Sequence, residues 1–188
     1  LLLVDRTWDE VVRGDARGAL EDLLPAYLQS TAWFGRKAVP ILTTTLVESM
    51  PLPGARPYAY LTFVRVQYAE GEPQLYTLPL AYATGADAEH LATTAPHAVL
   101  AQVQRAGAAP AGYLYDPMWS PRFAQGLLTT VAGRRRVPGQ YGVLAPLATP
   151  VLRTARAAPR AQLTPAVLQA AHNNTTLLYG TRVVLKLF

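Results

Sequence analysis

Cysteine is absent from the 188 residues, which excludes disulfides, zinc-thiolate sites and a thiol nucleophile. Lysine is nearly absent: of 17 basic residues only Lys37 and Lys186 are lysines. In a chain also rich in Ala, Leu, Pro and Gly, that bias makes arginine the default surface cation and leaves the two lysines to be explained. Charged residues make up only 15%, and no apolar run approaches the roughly 18 to 20 residues of a membrane span. The three histidines, His90, His97 and His172, are too far apart for metal-ligand spacing. There is no Walker A loop and no G-x-S-x-G. An initiator Met is also missing, and Leu1-Leu2-Leu3-Val4 has no basic region before it, so a secretory signal is not expected and the N-terminus reads as a cut. The expected location is cytoplasmic.

What is present is enough for a packed core, with 51% hydrophobic residues. The net charge of +5 and pI near 9.7 would permit nucleic-acid binding. Apart from Arg134-Arg135-Arg136, however, the basic residues are scattered and no nucleic-acid motif accompanies them. Neither nucleic acid nor membrane is an expected partner. Asn173 and Asn174 both fit the N-x-S/T pattern, which is common by chance.

Local signals predict an α+β fold. Thr7 and Glu10 have capping-box spacing, giving a short helix to Arg13. Asp15 is placed to cap a second helix with Leu20, Leu23, Leu24, Tyr27 and Leu28 on one face, interrupted at Pro25. Ile41 to Met50, Tyr58 to Ala69 and Gln74 to Thr84 read as an antiparallel meander. In the middle strand Tyr58, Tyr60, Thr62, Val64, Val66 and Tyr68 form a non-ionic face opposite Ala59, Leu61, Phe63, Arg65 and Gln67. The expected architecture is N-terminal helices packed on a curved antiparallel sheet (residues 1–85), then a second small α+β unit (86–188). In that unit His97 to Arg105 and Gly112 to Asp116 read as strands. Ser120 caps a helix with Pro121 at its first position. A long connection from Arg134 to Arg160 holds a short strand over Tyr141 to Leu147, and Thr164-Pro165 starts a brief helical turn. Asp116, at a strand end, reads as a cap or turn residue.

The chain closes on two apolar runs around Tyr179-Gly180-Thr181-Arg182, a β-hairpin with Lys186 in its second strand. A buried ammonium without a partner costs several kcal/mol, so Lys186 calls for an anion such as a phosphate. In protein-kinase-like N-lobes a strand-turn-strand covers the nucleotide phosphates and a lysine in the next strand binds them. Val183 to Leu187 fits such a strand, and Asn173, Asn174, Thr175 and Thr176 stand at the glycine positions with short side chains able to donate to phosphate. A lysine extending its head from a strand edge into water is the competing reading. With the chain stopping two residues after Lys186, a larger protein cut where a nucleotide site begins is the expectation.

Two stretches carry a family resemblance. Leu24-Pro25-Ala26-Tyr27-Leu28 with Trp33-Phe34-Gly35-Arg36-Lys37, and Asn174-Thr175-Thr176-Leu177-Leu178-Tyr179-Gly180 with Val184-Leu185-Lys186-Leu187-Phe188, resemble signatures of the maltokinases, free-standing or fused to trehalose synthase, within the aminoglycoside-phosphotransferase-like kinases. His172-Asn173 departs from the family's Gln-Ser. The stretch Leu1 to Arg13 resembles the linker after the synthase in fused proteins. The resemblance implies a cap, an intermediate subdomain and the start of an N-lobe, with the catalytic base and metal-binding carboxylates in a C-lobe outside this chain. The parent would transfer the γ-phosphoryl of ATP, with Mg²⁺, to the anomeric hydroxyl of maltose for α-glucan synthesis. Lys186 would be the phosphate-binding lysine, Trp33, Phe34 and Lys37 a packing anchor, and this piece non-catalytic alone. Two alternatives stand beside it: an interaction or regulatory module joining a trehalose synthase to its partner domain, and a fragment of a related amino-sugar kinase.

Overall fold

The computed structural model describes positions 1–52, 55, 58–107, 111–150, 152, 154, 163–168 and 175–187, with backbone only at 168 and 175. Six strands, β1 (Leu2–Val4), β2 (Ile41–Leu52), β3 (Ala59–Tyr68), β4 (Gln74–Ala83), β5 (Val99–Arg105) and β6 (Gly112–Tyr115), form one sheet in the order β1-β5-β6-β4-β3-β2. The meander β2-β3-β4 is antiparallel, as the alternation predicts. On β3, Tyr60, Thr62, Val64, Val66 and Tyr68 are each 2% exposed or less. Tyr60, Val64, Val66 and Tyr68 pack in one core with α1 (Glu10–Arg13) and α2 (Arg17–Ser30).

The other face of the sheet differs from the sequence reading. Arg65 is exposed there, but Ala59 and Leu61 at the far end of β3 are buried in a second core with α4 (Pro121–Gly133). The sheet therefore carries apolar layers on both sides at that end. It also runs across the 85/86 position, because β6 pairs with β4 and β5 pairs with β6. Pro79 is tolerated in β4 because β6 pairs only from Ala81 onward, leaving one side of the strand free at the proline.

Several local expectations are corrected. Leu2 to Val4, for which the sequence signals no element, form β1 beside β5 in parallel, with Leu2 and Val4 buried in the same core as Val11 and Val12. The first helix keeps half of its capping box: the Glu10 carboxylate accepts from the Thr7 amide at 3.0 Å, and from Asp5 and Arg6 as well. These amides, Asp5's first, hold the Glu10 carboxyl below its ordinary range. Ala16, not Asp15, is the N-cap of α2. The helix runs unbroken through Pro25, with Leu20, Leu24 and Leu28 fully buried, each worth about 1.5–3 kcal/mol. Proline at position 25 deprives the Glu21 carbonyl of its amide donor, and the Thr44 hydroxyl of β2 donates to it instead. The neighbouring Leu46 amide donates to the Glu21 carboxylate at 2.7 Å, and the Leu46 carbonyl accepts from Arg17. The helix thus satisfies the outer edge of β2 while packing on it.

The helix α3 (Gly85–Thr94) was not legible, since its one buried residue is Ala88 and no apolar stripe results. The strand expected from His97 starts at Val99, after a 3₁₀ turn at Pro96–Ala98. As expected, Ser120 caps α4, accepting from the Phe123 amide at 3.4 Å, with Pro121 first in the helix. Between Arg134 and Leu144 the connection forms a small hairpin, β7 (Val137–Pro138) with β8 (Val143–Leu144), so the short strand expected within Tyr141 to Leu147 is present but only two residues long. Pro165 opens a strand, not a helical turn: β9 (Pro165–Leu168) pairs with β10 (Thr175–Tyr179), which pairs with β11 (Val183–Leu187). Proline fits as the first residue of an edge strand, where its missing donor leaves no ladder bond unmade.

The hairpin β7-β8 is held by a single carboxylate. Glu48 of β2 accepts from the successive amides of Gln140, Tyr141 and Gly142 at 2.6, 2.8 and 2.6 Å, and from Ser49 at 2.7 Å. Gly139 is required by this approach, since a Cβ there would stand 2.7 Å from Glu48 Oε1. Partial burial opposes ionisation, but the backbone donors outweigh it and hold the carboxyl below its ordinary range. Stability from these bonds is therefore present above about pH 4.5 and is lost as pH falls toward the folded-state pKa. Glu48→Ala is expected to speed hydrogen exchange at the amides of 140–142 by about tenfold or more and to lower stability by ~1–3 kcal/mol. Unchanged exchange at those three amides would show that the carboxylate does not hold the turn.

Candidate functional site

Lys186 sits in a hairpin whose strands follow from their composition: Leu, Val, Thr and Tyr on a pleated, half-buried surface. Gly180, at φ 58°, supplies the left-handed turn. One face of the hairpin is fixed to the second core. Leu177 and Tyr179 are fully buried, and the Tyr179 hydroxyl donates to the Ala124 carbonyl of α4 at 2.7 Å. Burial also raises the Tyr179 pKa well above its ordinary value. Tyr179→Phe is expected to cost ~1 kcal/mol in denaturant unfolding by removing that buried hydrogen bond, and an unchanged midpoint would contradict it.

The opposite face carries Val184, 56% exposed, and Lys186. Lys186 is exposed, so the cost of burying an ammonium does not arise; its neighbours Val183, Leu185 and Leu187 turn inward instead. Across the ladder Lys186 faces Thr176, which is 4% exposed. The structure thus brings Lys186 and Thr176 side by side, one open to solvent and one covered. Thr175 begins β10 opposite Leu187. Asn174, with Asn173 and His172, lies outside the described residues. No acidic residue follows Asp116 in the sequence, so the Lys186 charge finds no carboxylate on its own part of the chain.

The other lysine belongs to a packing motif. Phe34 is 1% exposed, with its ring 5.2 Å from Tyr76 and 6.4 Å from Tyr68; Trp33 lies 6.2 Å from Tyr76. Arg36 stacks over Tyr68 at 4.4 Å, while Lys37 is exposed. The stretch Trp33 to Lys37 therefore fastens the end of α2 to the strands β3 and β4. A second aromatic group, Trp8 stacked on Tyr82 at 5.9 Å, is built on Gly112, where any Cβ would strike the Tyr82 ring.

Asp116 is the one deeply buried carboxyl, 4% exposed, and it accepts from the Met118 amide at 2.9 Å, capping the 3₁₀ turn Pro117–Trp119. Burial pushes its pKa up to about 7, against the lowering effect of the Met118 amide. The sequence reading of a cap holds. His90 and His97 are exposed, and His97 meets the Trp119 ring edge-on at 4.5 Å. Sequence reasoning missed Glu48. Its one signal was being the only charged residue in twelve of β2, paired at a distance with Gly139-x-x-Gly142.

Among the described residues no helix is long and apolar enough to cross a membrane. None of the curated proteins matches the chain. The family model of the maltokinase N-terminal cap domain matches residues 27–119, which takes in the last turn of α2, the Trp33–Lys37 anchor, strands β2 to β6 and the turn capped by Asp116. Over those residues the chain therefore resembles the cap domain found at the N-terminus of maltokinases.

Proposed function

We propose that this chain serves an ATP-dependent maltokinase by supplying the cap and the strand whose lysine meets the nucleotide phosphates. The observation that carries the reading is Lys186: an exposed cation on a strand pinned to the fold from behind, in a chain whose earlier part resembles a maltokinase cap. ATP supplies the γ-phosphoryl group, which passes to the anomeric oxygen of maltose with release of ADP and a proton. Of the residues present, Lys186 suits the phosphates as an exposed point charge on an anchored strand, whereas its neighbour Thr176 is covered. They do not suit Mg²⁺, because a hard cation needs carboxylate oxygens and none follows Asp116. Metal ligands and base would come from a C-lobe of the longer protein, in the cytoplasm, either free-standing or fused to a trehalose synthase.

The test is ATP-dependent phosphorylation by a longer protein carrying this chain, with maltose, glucose and glucosamine compared. Preference for maltose is expected, and the 188-residue chain alone should turn over none of them. Preference for glucosamine would move the reading to an amino-sugar kinase; no activity on any sugar from a folded protein would leave the cap as an interaction module.

A further inference from the structure

Asp116 stands where two parts of the fold are joined. It is the last residue before the 3₁₀ turn Pro117–Trp119, which leads from β6 straight into α4. Its amide donates to the Ala98 carbonyl at 2.9 Å, one carboxyl oxygen accepts from Met118, and the Ser120 amide closes the turn on the Pro117 carbonyl at 2.8 Å. Ser120 in turn caps α4. Met118 is fully buried in the second core with Phe123 and Leu127, and α4 holds the terminal hairpin through Ala124. One carboxyl therefore orders the passage from the sheet to the helix that carries the hairpin.

Nothing near that carboxyl balances a negative charge. It is 4% exposed, and its second oxygen has no hydrogen-bond partner among the described residues. The titratable groups that sense it are phenols, Tyr27 of α2 and Tyr115 of β6, both raised first by burial. Asp87 of α3 also acts on Tyr115 and adds only negative charge. Strand β4 has no Asp, Glu, Lys, Arg or His. Arg105 of β5 lies at the other end of that strand, beside Val4. Arg122 of α4 is exposed and, among the described residues, forms no ion pair with Asp116. His97 is exposed and meets the Trp119 ring. An unpaired carboxylate is costly in such surroundings, so the closed joint favours the protonated acid.

We propose that Asp116 is a proton-operated latch at this joint: protonated, it keeps the turn and α4 on the sheet; ionised, it lets the turn open and α4 lift with its hairpin. Opening admits water to the carboxyl and returns it to an ordinary acid. The closed form holds its proton up to about pH 7, whereas the open form loses it near 3.8. Rising pH therefore favours the open form across that window and adds little above it. Opening is local because Val64 and Val66 belong to the other core, with α1 and α2. The inference does not depend on Lys186 meeting phosphate.

Amide hydrogen exchange of the 188-residue chain is followed by NMR from pH 5 to pH 8, each rate divided by that of unstructured peptide at the same pH. Protection at Met118, Ser120 and Ala124 is expected to fall by about ten- to hundredfold across that range. At pH 8 it should lie at least about tenfold below that of Val64 and Val66. Asp116→Asn cannot ionise and keeps an oxygen for the Met118 amide, so protection at the three joint amides should stay within about threefold. His97→Gln, which removes the histidine beside the turn, should behave as wild type. Equal protection of the two sets at pH 8, the sign that only whole-chain unfolding exposes the carboxyl, overturns the latch. So does wild-type protection that ignores pH, a fall that persists in Asp116→Asn, or one that His97→Gln abolishes.

Discussion

Asp116→Asn is expected to flatten the pH dependence of unfolding between about pH 4 and 7. Burial at the end of β6 pushes the wild-type carboxyl up to about 7 from an ordinary 3.8, against the lowering effect of the Met118 amide that donates to it. A carboxyl with a raised folded pKa binds its proton more tightly in the native state. Between the two values the folded protein holds more protons than the unfolded one, so stability falls as pH rises. The loss begins near the unfolded value and is complete once pH passes about 7, reaching up to ~4 kcal/mol by linkage. Asparagine keeps the Oδ1 acceptor for Met118 and has no proton to lose. The variant should match wild type near pH 5 more closely than at pH 8, where it should be the more stable of the two. Guanidinium unfolding of both proteins at pH 5 and pH 8 checks this, and parallel pH profiles would contradict it. Glu48 works in the opposite direction at the acid end, which is why the comparison stops at pH 5.

The sequence revealed elements where side chains alone decide. Strand β3 was legible because Tyr60 to Tyr68 alternate on a face that a helix pair covers, and α4 because Ser120-Pro121 marks its start. Elements fixed by partners far along the chain were not. Three residues of β1 carry no period, and only the parallel pairing with β5 makes Leu2 to Val4 a strand. Pro165 signals a helix start locally, yet pairing with Tyr179 makes it a strand start. Pro25 should break α2, but a hydroxyl from a strand about twenty residues later repairs the lost bond. At the candidate site, Lys186 was found from its apolar neighbours, but its exposure was misread. Which face of β11 turns inward depends on Tyr179 reaching α4, a contact spanning 55 residues. The Glu48 clamp uses backbone amides, which every residue but proline possesses, so no pattern of side chains announces it.

Lys186→Ala, in a longer protein carrying this chain, is expected to lower kcat/KM for ATP-dependent phosphorylation of maltose by about 10²–10³-fold. That is the scale seen when one preorganised donor to developing charge is removed. The fold should survive, because the side chain is exposed and its strand is anchored through Leu177 and Tyr179 on the other face of the hairpin. Lys186→Arg should recover only part of the rate, since a planar fork does not replace a compact ammonium. The steady-state rate of maltose phosphorylation by wild type and Lys186→Ala, measured on protein shown to be folded, tests the account most directly. A loss of at least a hundredfold places this lysine at the phosphates; a variant within about twofold of wild type removes it from the nucleotide site.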